Sequence, residues 1–152
     1  MIIDVDKVAQ RIRELVNGYL LRFGLAYVGL YRFTDMAQIP DWATYLSVMN
    51  TTLNREGMRP IYLWLRNGGN DVLLLLCISG YFRSGMNDVT DIMQRLWMLR
   101  TSCCTLPVLM KEWQTDSANV ETVINGIYQV LGNFSFMRQH AYRKHGFGSS
   151  TI

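Results

Sequence analysis

Residues 62–80 read YLWLRNGGNDVLLLLCISG and contain two apolar runs separated by a turn sequence, residues 67–71. The second run, residues 72–78, includes four consecutive leucines and no charged residue. A membrane helix needs about 20 apolar residues, so this run is too short to cross a bilayer. A short apolar run after a turn is typical of a strand in the middle of a buried sheet. The stretch therefore predicts a β-hairpin with strands at residues 60–66 and 72–79.

Apolar residues at helical spacing predict four helices around this hairpin. The first begins at Asp4 or Asp6 and ends at Gly24, the second opens at Pro40-Asp41 and ends at Gly57, the third begins at Asn87 or Asp88, and the fourth covers residues 119–131. Two further strands are predicted at residues 25–33 (LAYVGLYRF) and 106–113 (LPVLMKEW).

The resulting order contains strand–helix–strand–strand–helix–strand, which is the ferredoxin-like pattern. We therefore predict an α+β fold, with one antiparallel sheet of about four to five strands and helices packed on it. The length of 152 residues fits a single domain over residues 1–152. Within it we distinguish an N-terminal helix (1–24), an α/β core (25–132) and a basic C-terminal segment (133–152).

The composition is that of a globular protein, with 49% hydrophobic and 18% charged residues. The net charge is +3, and all twelve acidic residues lie before residue 122, together with twelve of the fifteen basic ones. The excess of positive charge therefore lies in the C-terminal segment, which carries Arg138, Arg143 and Lys144. Arginine suits bidentate contacts to phosphate or carboxylate, although a solvated basic tail is the more common role of such a segment.

Neither redox chemistry nor a cofactor is indicated by the sequence. An odd number of cysteines, with Cys77 in an apolar strand and Cys103 next to Cys104, argues against a disulfide framework and fits a reducing cytoplasm. No signal peptide is visible at the N-terminus. The glycines of the hairpin turn do not form a phosphate-binding loop, and His140 and His145 are too weak a pattern to predict a metal site.

Several short segments occur in an order that resembles the inovirus-type replication proteins of filamentous phages and integrated elements. These segments are GLYRF, NTTLNREG, PIYLWLRN, VLLLLCISG, IMQRLWMLR and the ending SFMRQHAYRKHGFGSSTI, and together they extend over residues 25–150. That family resembles rolling-circle initiators with a His-hydrophobic-His motif. The resemblance implies a strand with two histidines that hold a divalent cation and a tyrosine that attacks the scissile phosphate.

The residues that this chemistry needs are missing from the chain. The strand that would carry the histidines begins Asn70-Asp71-Val72-Leu73, and Asn67 stands where the family has a glutamate. Phe136 occupies the nucleophile position and has no hydroxyl group. Arg138 or Gln139 falls at the position of the family's lysine. Because the metal ligands and the nucleophile are lost together, we predict no catalytic residues and no metal site.

Asp71 leaves one enzymatic alternative open. Together with Asp35, which follows the first strand, it could hold magnesium as a hard oxygen ligand in a divergent nuclease. The simpler interpretation, which we favour, is that Asn70 and Asp71 are turn residues of the hairpin.

A binding surface is predicted on the first strand of the hairpin. Alternation places Tyr62, Trp64 and Arg66 on one face, and Ile61, Leu63 and Leu65 on the other face, which we assign to the core. The first set could stack on bases or contact a protein. The simpler expectation is that most of the strand aromatics pack under helices; these are Tyr27, Tyr31, Phe33, Tyr62 and Trp64. Further predicted contact residues are Arg83, Arg138, Arg143 and Lys144.

These features predict a non-enzymatic binding protein of a phage or mobile element, derived from a replication initiator and acting in the cytoplasm of the host. One expected partner is a host protein complex, such as an anti-phage defence system. The other is single-stranded or duplex DNA, and a divergent nuclease is the third alternative. The small net charge favours the protein partner slightly, because affinity for nucleic acid depends on the number of phosphates that are neutralised.

Overall fold

We describe a computed structural model of the protein for residues 5–34, 42–66, 71–81, 85–100, 105–133 and 147–150. The elements follow in the order α1 (Val5–Phe23), β1 (Leu25–Phe33), α2 (Trp42–Arg55), β2 (Ile61–Arg66), β3 (Val72–Ser79), α3 (Asn87–Arg100), β4 (Val108–Asp116), α4 (Val120–Leu131) and β5 (Phe147–Ser149). The predicted succession of elements is confirmed, and β5 is added to it. The first hairpin strand begins at Ile61 instead of residue 60, and the fourth strand is shifted from 106–113 to 108–116.

The five strands form one antiparallel sheet in the order β4-β1-β3-β2-β5. The inner order β4-β1-β3-β2 is the one that the ferredoxin-like pattern requires, so the predicted α+β class is confirmed. β3 lies in the middle, where Leu75 is paired with Leu30 of β1 on one side and with Leu63 of β2 on the other. The hairpin therefore occupies the centre of the sheet, as its apolar sequence predicts.

Helices cover both faces of this sheet. On one face, α1 and α4 pack over alternate strand residues that include Val28, Leu63 and Leu75. On the other face, α2 and α3 pack over the intervening residues, among them Tyr31 and Leu74. All eight residues of β3 are buried as a result. Each fully buried leucine or valine contributes roughly 1.5–3 kcal/mol from the hydrophobic effect, so β3 requires both helical layers.

The end of α2 determines the entry into β2. Gly57 has φ 78° and follows the last turn of the helix. Its N–H donates to the carbonyl of Asn54 (2.9 Å), and the N–H of Met58 donates to the carbonyl of Leu53 (3.0 Å). These two bonds form a Schellman motif, which satisfies carbonyls that the helix end would otherwise leave unpaired. The chain turns sharply there and enters β2 at Ile61.

β5 is attached to the edge of β2 and to α1. The N–H of Tyr62 donates to Oγ of Ser150 (2.8 Å), and the N–H of Ser150 donates to the carbonyl of Tyr62 (2.9 Å). From α1, Arg11 donates to Oγ of Ser149 (3.1 Å) and to the carbonyl of Ser150 (3.2 Å). The predicted C-terminal segment therefore contributes a strand to the sheet.

Candidate functional site

The end of the β2–β3 hairpin next to its turn is where the resemblance places a metal site. We call the residues Arg32, Arg66 and Asp71 the hairpin end. Nε of Arg32 donates to Oδ2 of Asp71 at 3.1 Å, and Nη2 of Arg32 donates to the same oxygen. The two side chains form an ion pair, in which Asp71 is 21% exposed and Arg32 is 44% exposed. The charge of the Asp71 carboxylate is therefore compensated by an arginine from the neighbouring strand.

The other groups at the hairpin end do not add metal ligands. The guanidinium of Arg66 lies 6.0 Å from the ring centroid of Trp64. Asp35, Asn67 and Asn70 lie outside the described residues. Within the described ranges, no group of three or more histidine, cysteine, aspartate or glutamate side chains could hold a metal ion. What the structure places at this end of the sheet is an ion pair and an arginine beside a tryptophan.

Tyr62 and Trp64 lie on the α2–α3 side of the sheet, and the predicted alternation along β2 is confirmed. Both side chains are partly buried. The ring of Trp64 is edge-on to that of Trp42 at 6.3 Å between centroids. Gly148 of β5 approaches the indole so closely that a Cβ there would lie 2.7 Å from Nε1 of Trp64. Trp64 is therefore enclosed on two sides and presents only part of its surface to a partner; its role in binding stays a prediction.

The strand aromatics Tyr31 and Phe33 are fully buried under α2 and α3. Phe33 contacts Trp42, Tyr45 and Trp97, with ring centroids 4.9–5.6 Å apart. The hydroxyl of Tyr31 forms a 2.8 Å hydrogen bond with Thr90, and burial raises the pKa of Tyr31. These rings stabilise the core and are not available for stacking on a base, in agreement with the prediction that most strand aromatics pack under helices.

The remaining predicted site residues belong to segments outside the described ranges. They include the predicted contact residues Arg83, Arg138, Arg143 and Lys144, the nucleophile position Phe136, and the two histidines, His140 and His145. Cys103 and Cys104 are outside these ranges as well. Cys77 is fully buried in β3, and burial raises the pKa of its thiol, so the thiol stays neutral.

A polar cleft lies at the opposite end of β2 from the hairpin end. It has a volume of about 520 Å³ and is lined by Arg22, Phe23, Asn50, Asn54, Gly57, Arg59, Pro60, Ile61 and Ser150. We call it the arginine cleft. Its walls come from the ends of α1 and α2, the start of β2 and the residue that follows β5. None of these lining residues is acidic.

Two arginines line the arginine cleft and lie near the same aromatic ring. Arg22 lies 5.2 Å and Arg59 5.4 Å from the centroid of the same ring, that of Phe23. Cation–π contacts of this kind stabilise an arginine by about 0.5–1 kcal/mol at an exposed site. Among the described residues, neither arginine has a carboxylate within ion-pair distance, whereas Arg11, Arg13 and Arg32 each have one. The cleft therefore holds two like charges that no described acidic side chain compensates.

The backbone of Arg59 is strained. Its φ of 51° is positive, which no other non-glycine residue in the described ranges shows. The carbonyl of Arg59 accepts a hydrogen bond from the hydroxyl of Tyr19 (2.9 Å), and the N–H of Ser79 donates to the carbonyl of Met58 (2.9 Å). Burial raises the pKa of Tyr19, so the hydroxyl keeps the proton that it donates. Such strain persists only where surrounding contacts hold it, and it is frequent at ligand sites.

No sequence pattern predicts the arginine cleft. Arg22 and Arg59 are far apart in the chain, and arginine in the last turn of a helix is an ordinary complement to the helix dipole. The available signal was local: Gly24 and Gly57 end two helices, and each has an arginine two residues away. That pattern does not indicate that the two helix ends lie close to each other.

Comparisons with known proteins find no relative, since no family model, no curated protein and no solved structure matches the chain. The resemblance to inovirus-type replication proteins therefore stays a prediction. In the part of the chain that the structure describes, no helix has both the length and the apolar character needed to cross a membrane.

Proposed function

We propose that this chain is a non-enzymatic binding protein of a phage or mobile element, built on the fold of a replication initiator, and that it binds a host protein complex such as an anti-phage defence system. The observation that carries the proposal is the ion pair between Arg32 and Asp71 at the hairpin end. Asp71, the described acidic residue at this end of the sheet, already forms an ion pair with an arginine of its own chain.

Metal-assisted cleavage would require this ion pair to be replaced. A magnesium site of the nuclease alternative needs carboxylate oxygens whose charge is available to the metal. Two donors of Arg32 converge on one oxygen of Asp71, and such charge-assisted hydrogen bonds compete with metal binding. The nucleophile position carries Phe136, which has no hydroxyl group. The hairpin end therefore favours a structural role over a catalytic one.

The surface of the sheet favours a protein partner over nucleic acid. Proteins that stack bases on a ferredoxin-like sheet use a face that is open to solvent, and here helices cover both faces. The net charge of +3 is small for a nucleic-acid-binding domain. Large apolar side chains project into solvent instead, with Leu21 90%, Leu99 83% and Tyr81 73% exposed. Side chains of this kind are suited to contacts with a protein surface.

A cleavage assay tests the non-enzymatic part of the proposal. We expect the purified protein to leave a labelled single-stranded oligonucleotide intact in magnesium or manganese and to form no covalent adduct on a denaturing gel. Arg32→Ala, which frees the Asp71 carboxylate, is expected to remain inactive because the nucleophile is still missing. A covalent protein–DNA adduct from the parent chain would overturn the proposal.

Affinity capture from host extract tests the partner. We expect a defined protein complex to copurify with the tagged chain after nuclease treatment of the extract, and to be identified by mass spectrometry. Nucleic-acid binding is the second candidate function, and it is carried by the basic C-terminal segment. Recovery of DNA or RNA as the retained component, lost on nuclease treatment, would favour that alternative.

A further inference from the structure

We propose that the arginine cleft binds the phosphate monoester group of a small ligand. The proposal concerns a second site, separate from any protein-binding surface, and it does not depend on the function proposed above. It rests on the charge of the cleft, on the contact of both arginines with the Phe23 ring and on the strained backbone at Arg59.

Charge balance identifies the kind of anion. Arg22 and Arg59 bring two positive charges to one ring, and none of the described residues that line the cleft is acidic. A phosphate monoester carries about −1.5 to −2 at pH 7, so it neutralises both guanidinium groups. A carboxylate or a phosphodiester carries one negative charge and leaves one arginine uncompensated. The cleft therefore fits a dianion better than a monoanion.

The position of the two arginines also explains why both are needed. Arg22 lies in the last turn of α1, and Asn50 and Asn54 lie near the end of α2. Helix C-termini carry partial negative charge, which by itself repels an anion. Two guanidinium groups outweigh this repulsion, and the charge-assisted hydrogen bonds that they donate are the strongest available to phosphate.

The cleft is arranged before any ligand arrives. Contact with the Phe23 ring restricts both guanidinium groups, and the hydrogen bond from Tyr19 holds the backbone of Arg59. Less conformational entropy is then lost on binding. The volume of about 520 Å³ lies within the range of small-molecule sites, and Phe23, Pro60 and Ile61 provide apolar surface for the rest of the ligand.

The test is a calorimetric titration of the full chain with adenosine 5′-monophosphate, inorganic phosphate, sulfate and acetate at constant ionic strength. We expect the monophosphate to bind most tightly and acetate to give no saturable signal. Since the second ionisation of a phosphate monoester is centred at about pH 6, binding should weaken between pH 7 and pH 5. Sulfate stays a dianion over this range and guanidinium keeps its charge, so sulfate binding should not change.

Variants connect that signal to the cleft. We expect Arg22→Gln and Arg59→Gly each to weaken the binding of adenosine monophosphate by about tenfold or more, because each removes a charge-assisted contact. Glycine is chosen at position 59 because it accepts the positive φ without strain, so the fold is retained. The control is Arg95→Gln, which removes an exposed arginine of α3, and it should bind as the parent does. Circular dichroism verifies that all variants are folded.

Three results would overturn the proposal. The first is that the monophosphate binds no better than acetate. The second is that Arg22→Gln and Arg59→Gly bind as tightly as Arg95→Gln. The third is that a phosphoserine peptide binds about tenfold more tightly than the monophosphate, which would assign the cleft to a phosphorylated protein instead of a small ligand.

Discussion

The hairpin end and the arginine cleft lie at opposite ends of β2, and they use arginine in opposite ways. At the hairpin end, Arg32 is paired with Asp71. In the arginine cleft, Arg22 and Arg59 share the ring of Phe23 and have no described carboxylate beside them. An arginine's role therefore depends on what the fold brings opposite it. An ion pair stabilises the fold locally, whereas two uncompensated charges favour the binding of an external anion.

The difference follows from how each region is assembled. β1 and β3 are paired with Phe33 opposite Val72, so Arg32 and Asp71 become neighbours at the end of the sheet. The arginine cleft is formed by helix ends, where no strand register aligns a cation with an anion. A sheet that pairs its strands in one register thus fixes which charges meet, and the helix ends do not.

The largest expected effect concerns β3, the strand on which both regions depend. Leu76→Asp should abolish soluble protein, since an unpaired charge in the middle of the sheet costs several kcal/mol, comparable to the total stability of a small domain. Leu74→Asp should behave in the same way. Soluble yield and thermal melting by circular dichroism measure the effect. Leu99→Asp, at a position 83% exposed, should remain folded; cooperative melting of both β3 variants would show that the hairpin is not the core.

Trp64→Ala tests whether the face of β2 beside the hairpin end binds the partner. We expect the free energy of binding to the partner to become less favourable by about 2 kcal/mol or more, as when a buried aromatic anchor is removed from an interface. Because Trp64 also packs against Trp42, the free energy of unfolding should fall as well, by about 2 kcal/mol. Partner affinity is measured by surface plasmon resonance and stability by urea unfolding.

Trp113→Ala is the matched control, because Trp113 is a partly buried tryptophan that packs against the core on the other face of the sheet. It should lower stability without changing affinity for the partner. Equal losses of affinity in the two variants would mean that Trp64 acts through stability and not through contact.

The basic C-terminal segment provides the next test. Changing Arg138, Arg143 and Lys144 together to glutamine should weaken any binding of nucleic acid. The slope of log K against log salt should shrink by about 0.7 per lost contact for a single strand, or about 0.9 for a duplex. Fluorescence anisotropy over a range of salt concentrations measures this slope. The control changes three arginines elsewhere to glutamine, namely Arg55, Arg95 and Arg100, and so removes the same charge. A similar decrease of the slope in this control would mean that binding depends on net charge and not on the C-terminal segment.

A double-mutant cycle on Arg32 and Asp71 sharpens the contrast between the two regions. We expect Asp71→Asn to lower the free energy of unfolding by about 0.5–1 kcal/mol, with a coupling of similar size to Arg32→Gln, because solvent screens a partly exposed pair. Arg22→Gln should lower stability by at most about 0.5–1 kcal/mol, because it removes the contact with Phe23 and breaks no ion pair among the described residues, and it should show no coupling to Asp71→Asn. Urea unfolding at low and high salt gives these values, and a coupling of Arg22→Gln to Asp71→Asn as large as that of Arg32→Gln would remove the contrast.

The smallest effect is expected at Arg59. Arg59→Gly relieves the positive φ but also removes the contact of Arg59 with Phe23, so the two effects oppose each other and the free energy of unfolding should change by less than about 1 kcal/mol. Arg55→Gly, the same change inside α2, should lower it by up to about 1 kcal/mol. Thermal unfolding of both variants provides the measurement. A clear loss of stability at position 59 would mean that the guanidinium of Arg59 is needed by the fold.

The sequence predicted the elements well because their signals are local. Every position from residue 72 to residue 78 is apolar, and a strand with two apolar faces is stable only in the centre of a covered sheet. Gly24 and Gly57 lie just beyond two helix ends, as predicted. The apolar stripes of α1 and α4 predicted helices but not which face of the sheet they cover, because a stripe does not specify its partner. β5 was missed because three residues containing a glycine show no strand pattern.

The candidate site was harder to predict from the sequence, because its contacts join residues that are far apart in the chain. Alternation along β2 correctly placed Tyr62 and Trp64 on the opposite face from Ile61, Leu63 and Leu65. It could not reveal that Trp42 and Gly148 enclose Trp64. The approach of Arg22 to Arg59 depends on tertiary packing of two helix ends. Ion pairs between strands, such as Arg32 with Asp71, require the register, which no single segment specifies.

The complete burial of β3 also determines how its amides exchange hydrogen with solvent. Its amides lie between two neighbouring strands and beneath helices on both faces, so hydrogen exchange there requires the sheet to open as a whole. Exchange over residues 72–79 then reports the global unfolding free energy in native buffer. β5, with three residues at an edge, exchanges through local opening instead. One deuterium-labelling experiment on any variant can thereby separate loss of global stability from detachment of the edge strand.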